Sequence, residues 1–247
     1  HLGHPERAWR ALSQWRSSWL SREGVLSVLV LITLSGWFLY SLMYGSPPQW
    51  VGFLIIILIL ATVYATAMIY ASLKTVLCWY NPLTPFCYLM FAASGGLLAN
   101  LFLMSIFGQY TSSSIYYFLS FLILSTWFIK FAWWRNLDTD ISKSNLSTAT
   151  GLGSFGEIRS LMPPHTSENY LQKEMGFVIA RRHAIKLRFI SVVLGGIIPL
   201  IIIIPGTLSS VLLGFALVSH LIGVFIERWL FFAEAKHIVS LYYGKSI

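Results

Sequence analysis

Six long apolar runs, at 24–44, 51–73, 86–107, 115–134, 189–204 and 208–226, leave this chain few ways to fold. Each approaches the ~20 apolar residues that cross the hydrocarbon core of a bilayer as a helix, the last two at the short end. In lipid every backbone polar group must be bonded internally, so runs this long and continuous predict helices. The expected fold is an all-α integral membrane protein, a bundle of six transmembrane helices. Hydrophobic residues make up 56% of the chain and charged residues 11%, with a mean hydropathy of +0.70. That balance excludes a soluble domain with its apolar residues gathered in one core.

The charges orient the bundle. All 17 Lys and Arg fall in 1–23, 74–85, 135–188 and 227–247, or at a helix end in the case of Lys130. The connections on the other side, 45–50, 108–114 and 205–207, hold none. By the positive-inside rule the basic side is expected to be cytoplasmic. A net charge of +8 raises the question of nucleic acid. These Lys and Arg, however, are scattered along helix ends and one loop beside Trp and Tyr, as on a face apposed to anionic lipid.

The chain divides into an interfacial amphipathic segment (1–23), four transmembrane helices (24–134), a cytoplasmic loop (135–188), two further transmembrane helices (189–226) and a cytoplasmic tail (227–247). In the first segment Pro5 suits a first helical turn, and Ala8, Leu12 and Trp15 recur at helical spacing, which predicts a helix lying among the headgroups. Ser21 is the expected cap of the first span, with Glu23 in its first turn. The first half of the long loop reads as flexible, and the second half as helical stretches ending in Arg181, Arg182, His183, Lys186 and Arg188. At ~50 residues the loop is too small for a catalytic domain with its own sizeable core.

Polar residues within the spans are few. Ser94, Gly95 and Gly96, with Ala92, Ala93 and Ala99, form a small-residue face suited to close packing in the third span. No Asp, Glu, Lys or Arg stands in the middle of any run, which argues against an ion pump or proton-coupled transporter. His220 lies about six residues from the basic face. It reads as a neutral histidine bonded to a neighbouring helix rather than a haem ligand, since no second deep axial residue is paired with it. Cys78 and Cys87 are nine residues apart without a CxxC, so they cannot hold an iron–sulfur cluster alone.

The residues that carry a resemblance are His1-Leu2-Gly3-His4-Pro5-Glu6-Arg7-Ala8, followed by Ser18-Trp19-Leu20-Ser21-Arg22-Glu23, and near the end Ile226-Glu227-Arg228-Trp229-Leu230-Phe231-Phe232. Together they resemble the DMSO reductase anchor subunit family, whose hallmark is HLGxPxRA and then SxLSxE. The stretches 68–73, 81–84 and 163–166 look like the branch that includes sulfite dehydrogenase anchors. Members of the family have eight spanning helices, two of them before the hallmark. The resemblance therefore implies an N-terminally truncated sequence here.

It also implies a subunit that joins an iron–sulfur subunit and a molybdopterin catalytic subunit to the bacterial cytoplasmic membrane and exchanges electrons with menaquinone or ubiquinone. No haem or iron–sulfur cluster is expected in this chain. His1 and Glu23 match the family's quinone-site positions, Arg7 is placed to stabilise an anionic quinone species electrostatically, and His220 and Arg228 are further candidates for that pocket. Quinone turnover moves protons as well as electrons, so groups that titrate or hydrogen-bond at the membrane boundary suit it. On their own residues alone, Glu23 reads rather as a helix-start carboxylate and Arg7 as a headgroup contact. Tyr170, Arg181 and Arg182 are the expected docking surface for the iron–sulfur partner. Sulfite oxidation is the expected direction, with the anchor of a DMSO, S-oxide or N-oxide reductase in anaerobic respiration as the alternative. A small-solute or sulfur-compound transporter is the reading from another class. It would call for midplane polar groups or a repeat between halves, and neither is visible in the sequence.

Overall fold

The computed structural model describes residues 4–109, 111–139, 146–158, 161–162, 177–206 and 209–235. Among them the regular structure is helical, with six helices long and apolar enough to cross a membrane: α1 (Trp19–Tyr44), α2 (Gln49–Ala71), α3 (Leu83–Ile106), α4 (Ser113–Thr139), α5 (Ala184–Ile203) and α6 (Ser210–Ala233). Consecutive helices pack along the chain from α1 to α4, and α6 packs on both α3 and α5. The core therefore sits among α3, α4, α5 and α6. It is built from side chains such as Leu98, Leu119, Ile123, Trp133, Ile203 and Phe231. At the outer edge, α1 buries Ser21 and presents a long apolar surface, as a helix against lipid can.

Several helix ends differ from the sequence expectations. The cap of α1 is Ser18 rather than Ser21, its hydroxyl accepting from the Ser21 N–H at 3.4 Å, so the helix opens at Trp19 and Glu23 lies past its first turn. The amphipathic segment is two short pieces, Pro5–Arg7 and Arg10–Ser13, instead of one helix. It docks back on α1 where Leu12 meets Gly24. In the long loop, Leu146–Thr150 is helical and Gly153–Phe155 forms a turn of 3-10 helix. The basic stretch around residue 186 opens α5 rather than closing the loop, so that span begins five residues before the apolar run. Most consequentially, α6 continues to Ala233, so Glu227 and Arg228 belong to the span and not to a tail.

The closest helix approach is also displaced from the expected one. A Cβ at Gly223 of α6 would overlap the backbone nitrogen and Cα of Gly195 in α5. Trp127 of α4 lies over the other side, 2.7 Å from where side chains at Gly195 and Gly196 would begin. In α3, Gly95 does face another helix, but Gly96 has nothing within 4 Å of its Cβ position. The tightest of the interhelix glycine contacts are thus at Gly195, Gly196 and Gly223, as in small-residue crossings within membranes. Gly195 and Gly196 lie within a π-helical turn, Val193–Ile197. Such a turn leaves carbonyls unbonded in the ladder, and α6 supplies donors to them. The Ser219 hydroxyl donates to the Leu194 carbonyl at 2.7 Å, and His220 Nδ1 donates to the Gly195 carbonyl at 2.6 Å.

Candidate functional site at the basic end of the bundle

The candidate site begins where α1 and α2 meet. Glu23 accepts a 2.6 Å hydrogen bond from the Thr66 hydroxyl, whose single proton has the Thr62 carbonyl, at 3.0 Å, as its alternative acceptor. α1 and α2 run antiparallel across a short connection, which brings position 23 near the start of one opposite position 66 near the end of the other. One turn beyond Thr66 along α2, on the same face, stands Tyr70. Its ring meets residues of α3 and α6.

That ring belongs to an aromatic cluster. Tyr70 stacks on Tyr88 of α3 with centroids 6.0 Å apart and meets Trp79, Phe231 and Phe232 edge-on at 5.2–5.5 Å. The Trp79 indole N–H donates to the Phe231 carbonyl at 2.8 Å. Trp133 of α4 donates to the Thr84 hydroxyl at 3.1 Å, and Thr84 donates to the Trp79 carbonyl at 3.0 Å. These bonds satisfy each buried polar atom while its ring fills apolar space, the arrangement in which buried Trp and Thr are stable.

Charge enters this cluster from α4 and α6. Lys130 Nζ lies 2.6 Å from Glu227 Oε1, and both side chains are essentially inaccessible. Glu227 also receives Nε and Nη2 of its neighbour Arg228, the latter at 2.8 Å. Lys130 lies 3.5 Å from the Trp133 ring centroid, and the Arg228 guanidinium 4.5 Å from that of Tyr88 and 4.9 Å from that of Phe231. Two cations, one carboxylate and a ring of aromatic faces are one electrostatic unit: the carboxylate compensates the cations, and the ring quadrupoles stabilise what remains. This corrects the expectation that no charge stands inside a span and that Lys130 sits at a helix end. Lys130 is nine residues from the end of α4, roughly 13 Å at the helical rise. The sequence signal for it was a polar residue inside an apolar run, together with an adjacent Glu-Arg immediately after one. Neither signal names its partner, because Lys130 and Glu227 stand on different helices.

Other expected site residues lie apart or outside the described residues. His1 and Tyr170 are outside them. Arg7 is exposed, its guanidinium 3.8 Å from Glu6. His220 is buried two turns from Glu227 on the same face of α6, with Nε2 beside Gly95 of α3 and no hydrogen-bond partner among the described residues. Because the Gly195 carbonyl can only accept, the His220 proton resides on Nδ1. Arg181 directs Nε and Nη2 to the carbonyls of Ala233 and Ala235 at 2.9 and 2.8 Å, closing the end of α6, whereas Arg182 is exposed. Burial lowers the Arg181 pKa from its ordinary value. Burial also pushes the Glu234 carboxyl up, an effect that its partner Arg188 opposes. Among the described residues no group of three His, Cys, Asp or Glu is placed to hold a metal ion.

Comparison with known proteins places this architecture. The family described as DMSO reductase anchor subunit (DmsC) matches residues 1–244. A sulfite dehydrogenase subunit of Allochromatium vinosum is 31% identical over 98% of this chain and 79% of its own length. No solved structure matches.

Proposed function

The chain belongs to the DMSO reductase anchor subunit family, and from that premise we propose that it passes electrons between the quinone pool and a molybdopterin enzyme of the sulfite dehydrogenase kind. It is a multi-pass membrane protein, and as an anchor subunit it associates with catalytic subunits at the bilayer. In the proposed complex an iron–sulfur subunit docks on the basic face, and that face is cytoplasmic. The similarity to a protein named as a sulfite dehydrogenase component favours sulfite over an S-oxide or N-oxide as the substrate of the catalytic subunit.

The observation that carries the quinone reading is the Glu23–Thr66 hydrogen bond at 2.6 Å. It holds a carboxylate at the basic end of α1, on a hydroxyl one helical turn before Tyr70, whose stacking partner Tyr88 has the Arg228 guanidinium 4.5 Å from its ring centroid. A quinone supplies two-electron, two-proton chemistry. The side chains needed around it are a proton-exchanging group near the aqueous boundary, hydrogen-bonding hydroxyls and flat apolar walls. Glu23 fits the first role, Thr66 and Tyr70 the second, and Tyr70 with Tyr88 the third. In this reading Glu23 exchanges the proton, Thr66 fixes the carboxylate rotamer, and Arg228 favours negative charge developing nearby. His1 and Arg7 remain part of the proposal as boundary groups of the same motif.

The test uses the intact complex. Glu23→Gln is expected to slow quinone-linked turnover by about tenfold or more, the scale of losing a positioned acid–base group, while activity with a soluble dye is retained. Thr66→Val, which leaves the carboxylate in place but unheld, is expected to cost less. Unchanged quinone kinetics in both variants would remove Glu23 from the site, and loss of assembly would assign it a structural role instead.

A further inference from the structure

A cavity of about 510 Å³ opens on the flank of the bundle where the end of α4 meets the start of α5, lined by Phe131, Trp134, Arg135, Asp138, Arg188 and Phe189 among others. Its polarity is graded with depth. α4 ends at Thr139, so Arg135 and Asp138 lie in its last turns and Phe131 farther inside, and α5 runs inward from Ala184 through Arg188. Phe131 and Phe189 are 51% and 68% exposed, which in a spanning bundle is exposure to lipid. One end of the cavity is charged and the other is open to acyl chains.

The charges at the polar end are matched. Arg188 directs Nη1 and Nη2 to the two Asp138 oxygens at 2.7 and 3.0 Å and Nε to Glu234 at 2.9 Å, so it is already compensated by two carboxylates. Arg135 has no ion pair or side-chain hydrogen bond among the described residues. Asp138 keeps a side chain 58% exposed, so its oxygens have lone pairs facing outward. Arg135, Arg188, Asp138 and Glu234 sum to a formal charge of zero. Among the described residues they leave one uncompensated cation, Arg135, and one accessible carboxylate, Asp138, about a helical turn apart. The carbonyls of the last turn of α4 add negative potential beside Asp138. A headgroup that is only anionic would satisfy Arg135 and leave Asp138 and Glu234 sharing the single Arg188 cation. A headgroup with a phosphate and a primary ammonium satisfies both ends.

We infer that this cavity binds a phospholipid with an amine-bearing headgroup, its phosphate on Arg135, its ammonium on Asp138 and its chains against Phe131 and Phe189. The bound lipid lies across α4 and α5, next to the Arg188–Glu234 pair that ties α5 to the end of α6. Basic pockets between helices at the cytoplasmic side are a known setting for headgroup recognition. The carboxylate here is what selects the zwitterion. The inference is independent of the quinone reading.

Native mass spectrometry of the detergent-solubilised intact complex tests it, with phosphatidylethanolamine, phosphatidylcholine and phosphatidylglycerol added at equal concentrations. Phosphatidylethanolamine should be retained in preference to both others. Arg135→Gln should lower its retention about fivefold, the scale of one arginine–headgroup interaction, while Lys74→Gln, elsewhere on the basic face, should not. Asp138→Asn should abolish the preference over phosphatidylcholine. Should that variant fail to fold, the wild-type preference and Arg135→Gln decide the matter alone. Equal retention of the three lipids, a preference for phosphatidylglycerol, or an Arg135→Gln complex indistinguishable from Lys74→Gln would overturn the assignment.

Discussion

Lys130 and Glu227, 97 positions apart in sequence, meet at 2.6 Å with neither side chain accessible, and Arg228 binds the same carboxylate from the adjacent position. The arrangement is asymmetric: one anion serves two cations. Removing Lys130 leaves a neutral Glu227–Arg228 pair, whereas removing the Glu227 charge leaves two buried cations facing each other.

The first prediction follows from that asymmetry. Glu227→Gln should destabilise the protein by about 3–5 kcal/mol, the scale for stranding a buried charge. Lys130→Met should cost less, on the order of 2 kcal/mol for the lost desolvated cation–π contact and ion pair. Thermal or detergent-induced unfolding of both variants measures the order. Equal losses would show that Glu227 does not carry the compensation for both cations.

Glycines give the second prediction. Gly223→Ala drives a methyl group into the Gly195 nitrogen, a contact with backbone that no rotamer relieves. The α5–α6 crossing must open, at a cost of about 1–3 kcal/mol or more. Gly96→Ala, with nothing within 4 Å of its Cβ, should be neutral or slightly stabilising. Midpoints of thermal unfolding compare the two, and a harmless Gly223→Ala would contradict the close approach.

Acid dependence gives the third. Burial raises the Glu234 carboxyl above its ordinary value despite the opposing Arg188. A carboxyl that holds its proton more tightly in the fold contributes stability that is complete below its unfolded pKa and lost as pH rises through the raised folded value. Wild type should therefore lose stability relative to Glu234→Gln from about pH 4 towards neutral. Parallel stability profiles for the two proteins over that range would show that Arg188 fully compensates the carboxylate.

The fourth prediction concerns orientation. Ser112 lies in the connection before α4, on the side without basic residues, and Ser147 in the short helix on the basic side. In intact cells a cysteine replacing Ser112 should react with an impermeant thiol reagent, and one replacing Ser147 should not. The reverse pattern would invert the bundle and move the proposed docking face across the membrane.

Six spans, the all-helical class, the basic face and the family could be read from the chain itself, because each depends on local composition or a contiguous motif. Run length reports whether a segment crosses a bilayer, and the hallmark around residues 1–23 is continuous in sequence. The same reading put Glu23 at the membrane boundary beside a helix start. It could not pair Glu23 with Thr66, whose hydroxyl comes from another helix, or supply Tyr70 and Tyr88, which look like ordinary aromatic residues of an apolar run. Lys130 and Glu227 were misplaced for the same reason. The cost of a charge in a membrane depends on its partner, and here the partner lies on a helix 97 residues away. The π-helical turn likewise has the Leu194 and Gly195 carbonyls bonded to Ser219 and His220, donors that come from α6 and not from the turn's own sequence. Local sequence determined what must span the membrane, and tertiary packing alone decided which polar groups the spans could enclose, because burial is tolerable only where a complementary group is already in place.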